Sequence, residues 1–82
     1  MSTTLNIYLG SFDIIKKFES AIISMKGKFA LCSGHYEVEA RSVMGILSMD
    51  LSRPLQLKIS NTTEANIEIL KQYCIKDYSN ER

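Results

Sequence analysis

Few side chains in this chain are of a type that could do chemistry. There is one histidine, His35, and there are two cysteines, Cys32 and Cys74. His35 lies next to Gly34, where a turn is expected, with no acidic or nucleophilic partner at a spacing that would make it a general base or a phosphoryl acceptor. The cysteines are far apart, show no CxxC spacing and have only His35 as a nitrogen companion, so no zinc site can be assembled. Two unpaired, half-buried thiols are the expectation, and no metal or other cofactor is implied. Asp13 could in principle accept a phosphoryl group, but aspartyl phosphates form beside a metal held by further carboxylates, and none cluster here. Its place ahead of an apolar helical stripe makes it a helix N-cap. Ser42 stands directly before the short apolar run Val43-Met44-Gly45-Ile46-Leu47, where its hydroxyl can cap a helix or carry a modification. No acid–base pair, nucleophile with its base or metal set appears, so an enzyme is not expected.

These residues must be held by a small fold. At 82 residues the chain is a single domain over 1–82, because two domains would each lack a core. Hydrophobic residues at 45% and charged residues at 23% fit a globular chain. Ten basic residues against nine acidic ones, scattered along the sequence, provide no long-range field for a polyanion, so nucleic acid is not an expected partner. The opening MSTTLNIYLGS shows no basic leader, and no stretch approaches the roughly 20 apolar residues of a membrane span. No membrane association and a reduced, cytoplasmic setting are the expectations.

Along the chain, Leu5, Ile7 and Leu9 alternate as in a half-buried strand. After Gly10, Asp13 opens a helix with the stripe Ile14, Phe18, Ala21, Ile22 and Met25, closed by Gly27. Phe29 and Leu31, a Ser33-Gly34 turn, and Tyr36, Val38 and Ala40 read as a hairpin with one wet face. The Ser42 helix of about two turns follows, with Ile46, Met49 and Leu51 directed inward. Pro54 opens a strand through Leu55, Leu57 and Ile59. Asn61 with Glu64 caps a last helix whose stripe is Ile67, Leu70, Cys74 and Tyr78. The order is β-α-β-β-α-β-α, and single apolar faces on the strands predict an α/β open-faced sandwich with helices on one side. A ferredoxin-like arrangement, with the last helix added, has the same order and is the structural rival.

The stretch from Val38 to Met49, and Ser42-Val43-Met44-Gly45 above all, resembles the strand and short second helix of HPr, the histidine-containing phosphocarrier of the sugar phosphotransferase system. The element order resembles that family along nearly the whole chain. The resemblance implies four antiparallel strands with three helices on one face. It also implies a phosphoryl-carrying histidine just before the first helix, in a Gly-Ile-His-Ala-Arg-Pro-like segment. Here that stretch is Gly10-Ser11-Phe12-Asp13-Ile14-Ile15, without histidine, arginine or proline. Reversible phosphoryl transfer needs an imidazole with groups that hold the dianion, so histidine phosphocarrier activity is expected to be absent.

In some HPr proteins the serine matching Ser42 is phosphorylated by a dedicated kinase and the product binds a transcriptional regulator. The resemblance therefore makes Ser42 a candidate regulatory site. It likewise makes Phe12, Val43, Met44 and Leu47 candidate contacts for protein partners, such as phosphotransferase-system proteins, the serine kinase or a transcriptional regulator. Ile23 falls opposite the stripe of the first helix, as an isolated exposed residue or as part of an oligomer contact, so a monomer or weak homodimer is expected. The alternative function is a small ligand-binding regulatory module of ferredoxin-like fold, with a metabolite in an apolar cleft between sheet and helices.

Overall fold

A computed structural model describes residues 2–75. Its elements are β1 (Ser2–Ile7), α1 (Phe12–Ile22), β2 (Lys28–Ser33), β3 (Tyr36–Glu39), α2 (Val43–Leu47), β4 (Leu55–Ser60) and α3 (Glu64–Leu70), the last followed by a 3-10 turn over Lys71–Tyr73. The strands form one antiparallel sheet in the order β1-β4-β2-β3. The first and third strands lie at opposite edges, whereas a ferredoxin-like arrangement would set them side by side at the centre. That rival is overturned by strand order.

Register shows why one face is dry. Leu5, Leu57, Leu31 and Val38 stand in one row across all four strands, with Ile7 opposite Leu55 and Ile59 opposite Phe29 in the flanking rows. Because alternate residues of a strand face opposite ways, these side chains share a face. Ile15, Phe18 and Ile22 of α1, Ile46 of α2 and Leu70 of α3 join them in one core cluster. The other face carries Thr4, Asn6, Gln56, Lys58 and Glu37, all exposed, with Ala30 half-buried and Cys32 buried among them on β2. The expected α/β open-faced sandwich, four antiparallel strands and three helices, is therefore present.

Several boundaries differ from the sequence expectation, each for a local reason. Leu9 is buried, but β1 ends at Ile7. The cap of α1 is Ser11, not Asp13: Ser11 has extended backbone and its hydroxyl accepts from the Ile14 N–H at 3.3 Å. Asp13 falls within the first turn, where its charge still complements the helix dipole. The buried stripe runs through Ile15, Phe18 and Ile22, with Ile14 half-buried. Ile23, not Gly27, is the C-cap. Gly27 serves the turn into β2 instead, at φ +133°, where an added Cβ would lie 2.9 Å from the Ser60 carbonyl oxygen. That backbone is open to glycine alone.

The β2–β3 reversal is Gly34-His35, since Ser33 pairs with Tyr36. Asn61 does not cap α3. It takes the left-handed conformation, φ +58°, in the turn leaving β4, and the cap passes to Thr63, whose hydroxyl accepts from Asn66 N at 3.2 Å. The last helix stops at Leu70, so Cys74 is not part of its stripe. Instead Cys74 bridges Ile7, with Tyr8 N–H donating to Tyr73 O and Ile75 N–H to Asn6 O, so the chain after α3 runs along the outer edge of β1. Tyr78 lies outside the described residues.

Candidate functional site

Ser42 stands where β3 hands over to α2. Its backbone is extended, its hydroxyl accepts from the Gly45 N–H at 3.1 Å, and its own N–H donates to Glu39 O at 3.0 Å. It caps α2 as the sequence predicts. Gly45 has a steric reason to be glycine, because an added Cβ would sit 3.1 Å from Val38 Cβ and 3.3 Å from Ser42 Oγ. The missing side chain lets the helix lie close against β3. The far end of α2 is tied to the same strand: Ser48 donates its hydroxyl proton to Gly45 O at 2.6 Å, which leaves the Tyr36 hydroxyl to donate to Ser48 Oγ at 2.8 Å.

Five residues of helix cannot bury every apolar side chain they carry. Ile46 is fully buried and Met49, just beyond the helix, nearly so, with Leu51 half-buried; this matches their expected inward direction. Met44 is 79% exposed and Leu47 44%, while Val43 is half-buried. Phe12, on α1, is 55% exposed, with Lys16 Nζ 5.7 Å above its ring. The helices α1 and α2 pack against one another. Ser42, Val43, Met44 and Leu47 are thus gathered on one short element, and Phe12 belongs to its neighbour.

Arg41 is the residue that sequence reasoning missed. Its guanidinium lies 4.9 Å from the Phe29 ring centroid, donates to the carbonyls of Met25 and Gly27, the latter at 3.2 Å, and pairs with Glu39 at 3.3 Å. It staples the α1–β2 turn to the residue before Ser42. A planar fork of donors over an aromatic face suits arginine and not lysine. Nothing local signals this role, because the carbonyls lie 16 and 14 positions away in sequence.

The start of α1 offers no imidazole. Gly10, Ser11 and Ile14 instead line a shallow groove of about 700 Å³ with Tyr8, Pro54 and Tyr73. Gly10 permits this shape, since an added Cβ there would meet the Tyr8 ring at 2.5 Å. Three of the polar side chains around the groove are engaged locally: Ser11 on Ile14 N, Ser52 on Asp50, and Gln72 on Ile69 O.

His35 is exposed at the hairpin turn. Cys32 is buried and Cys74 half-buried, both as free thiols. Burial, and next the Glu37 carboxylate, push the Cys32 thiol above its ordinary pKa, and burial pushes Cys74 the same way. Among the described residues no three His, Cys, Asp or Glu side chains stand close enough to hold a metal ion, and no helix is long and apolar enough to cross a membrane. The chain matches no family model, no curated protein and no solved structure.

Proposed function

We propose that this chain is an HPr-like protein that does not carry phosphate on histidine and acts as a regulatory or adaptor protein, recognised through α2. One observation carries the reading. Ser42 caps a five-residue helix that leaves Met44 and Leu47 exposed, while the start of α1 presents Ser11, Phe12 and Asp13 where a phosphocarrier needs an imidazole. The open-faced arrangement of four antiparallel strands and three helices agrees with the fold the resemblance implies.

Ser42 is the switch in this proposal. A phosphate on its hydroxyl adds up to about two negative charges next to exposed apolar side chains, which changes the surface a partner meets without moving the sheet. Methionine suits a surface that accepts more than one partner. A ligand-binding role has less support, because the ferredoxin-like arrangement it was tied to is absent among the described strands.

Two labelling reactions test the proposal. With phosphoenolpyruvate and the general phosphotransferase components, no residue is expected to take label, and label on any residue overturns the loss of carrier activity. With an HPr-type serine kinase and ATP, label is expected on Ser42 and absent from the Ser42→Ala variant; an unlabelled Ser42 removes the switch. The recognition surface is tested by capture from a native cytoplasmic extract with Met44→Asp and Leu47→Asp as controls. Partners retained by both variants would show that α2 is not the docking element.

A further inference from the structure

The outer edge of β3 is an open pairing site. Among the described residues β3 pairs only with β2, whereas the outer edge of β1 is covered by the segment around Cys74. Hydrogen-bonded and non-hydrogen-bonded residue pairs alternate along an antiparallel ladder. The Ala40 N–H donates to Phe29 O at 3.0 Å, and Leu31–Val38 and Ser33–Tyr36 share that parity. Glu37 and Glu39 therefore turn their N–H groups outward from the sheet, and Glu37 its carbonyl as well; the Glu39 carbonyl is taken by Ser42 N–H.

The side chains along this edge have a definite chemistry. Glu37 and Glu39 point to the open face, and their sheet rows run on through Cys32 and Gln56 and through Ala30 and Lys58. Among the described residues Glu37 accepts only a weak thiol hydrogen bond, at 3.6 Å, and is the unpaired acid of the edge, whereas Glu39 already pairs with Arg41 at 3.3 Å and keeps one carboxylate oxygen outside that pair. On the helix side the edge presents the half-exposed Tyr36 ring and Val38.

We propose that the outer edge of β3 takes an extended basic segment of a partner protein by strand addition. Lysine or arginine at alternate positions would face Glu37 and Glu39, with apolar residues between them against Tyr36 and Val38. Backbone pairing supplies the attraction and the alternate side chains supply the selection. A second copy of this chain is disfavoured at the same edge, because it would set Glu37 and Glu39 against their own counterparts, and like charges across a strand pair repel. The site adjoins α2, which packs on Val38 and is tied to Tyr36, but it uses the free backbone edge of β3 and does not depend on the function proposed above.

The test uses the full chain with two synthetic peptides, acetylated and amidated, one of alternating lysine and valine and one of alternating glutamate and valine. Amide exchange at Glu37 and Glu39 is expected to slow with the lysine peptide and not with the glutamate peptide. The variant Glu37→Lys, which leaves the Arg41–Glu39 pair intact, is expected to weaken binding of the lysine peptide by roughly fivefold. Glu37→Pro removes an outward donor without breaking a bond to β2, since proline is tolerated at the free side of an edge strand, and is expected to abolish protection at Glu39. Equal binding of the two peptides, protection confined to other residues, no slowing at millimolar peptide, or unchanged binding in the Glu37→Lys variant each overturn the proposal. Concentration-dependent self-association that slows exchange at Glu37 would overturn it in favour of a second copy.

Discussion

Arg41 illustrates how much a single side chain can hold. It replaces water at two backbone carbonyls, covers the face of Phe29 and balances Glu39 at once. Arg41→Ala is expected to lower stability by about 1–3 kcal/mol, with Arg41→Lys intermediate, because a single ammonium nitrogen lacks the planar group that stacks on Phe29 and the second nitrogen that reaches Glu39 while the first serves the carbonyls. Urea unfolding of the three proteins checks the order. The thiols make a second expectation at this scale. Cys32 and Cys74 both have raised pKa values, so the folded state favours the neutral thiol. That contribution is complete below the ordinary thiol pKa, about 8.5, and is lost as pH rises through the folded values. Alkylation by iodoacetamide at pH 7 should therefore be slower in the folded protein than in urea at the same pH, and alkaline destabilisation should be smaller in the Cys32→Ala variant. Mass spectrometry reads the first and thermal melting the second.

At the scale of the element, α2 is the informative case. Its five residues are too few to be stable alone, so the cap, the tie to Tyr36 and the contact at Gly45 must hold it in place. Ser42→Ala is expected to cost about 1 kcal/mol through loss of the cap, and Ser42→Asp less, because aspartate also accepts from the first-turn N–H groups. Denaturant midpoints test both. The same two variants separate capping from regulation: a partner that discriminates Ser42→Asp from Ser42→Ala more than their stabilities differ would be reading charge. The helix starts show how local chemistry is shared among neighbours. In both Ser11-Phe12-Asp13 and Asn61-Thr62-Thr63 more than one capping residue type occurs within three positions, and backbone conformation, not residue preference, selects Ser11 and Thr63.

At the scale of the molecule, β4 is a central strand, because it lies between β1 and β2 and buries Leu55, Leu57 and Ile59 in the core. Leu57→Ala is expected to cost roughly 2–5 kcal/mol, a large part of the roughly 5–15 kcal/mol typical of a whole domain. Lys58→Ala, one position along and on the open face, should change stability by no more than about 0.5 kcal/mol. Thermal melting of the pair reports directly on which face of the sheet is packed. A similar cost for both would mean that the open face is covered.

Element order, the apolar faces of β1 and β4 and the Ser42 cap were legible in the sequence, because each depends on residues within a few positions of one another: period-two alternation for the strands and a hydroxyl three residues from the amide it accepts from. The strand β2 departs from the pattern, since Cys32 is buried on its open face. Tertiary structure alone decided the rest. Strand order separates this sheet from a ferredoxin-like one with the same element order, since pairing joins residues distant in the chain, as Ser2 meets Ser60. The end of α3 depended on β1, whose free edge takes up the backbone around Cys74 that periodicity would have continued as helix. Arg41 acquired its role in the same way, from carbonyls and a ring that adjoin it only after the chain has folded.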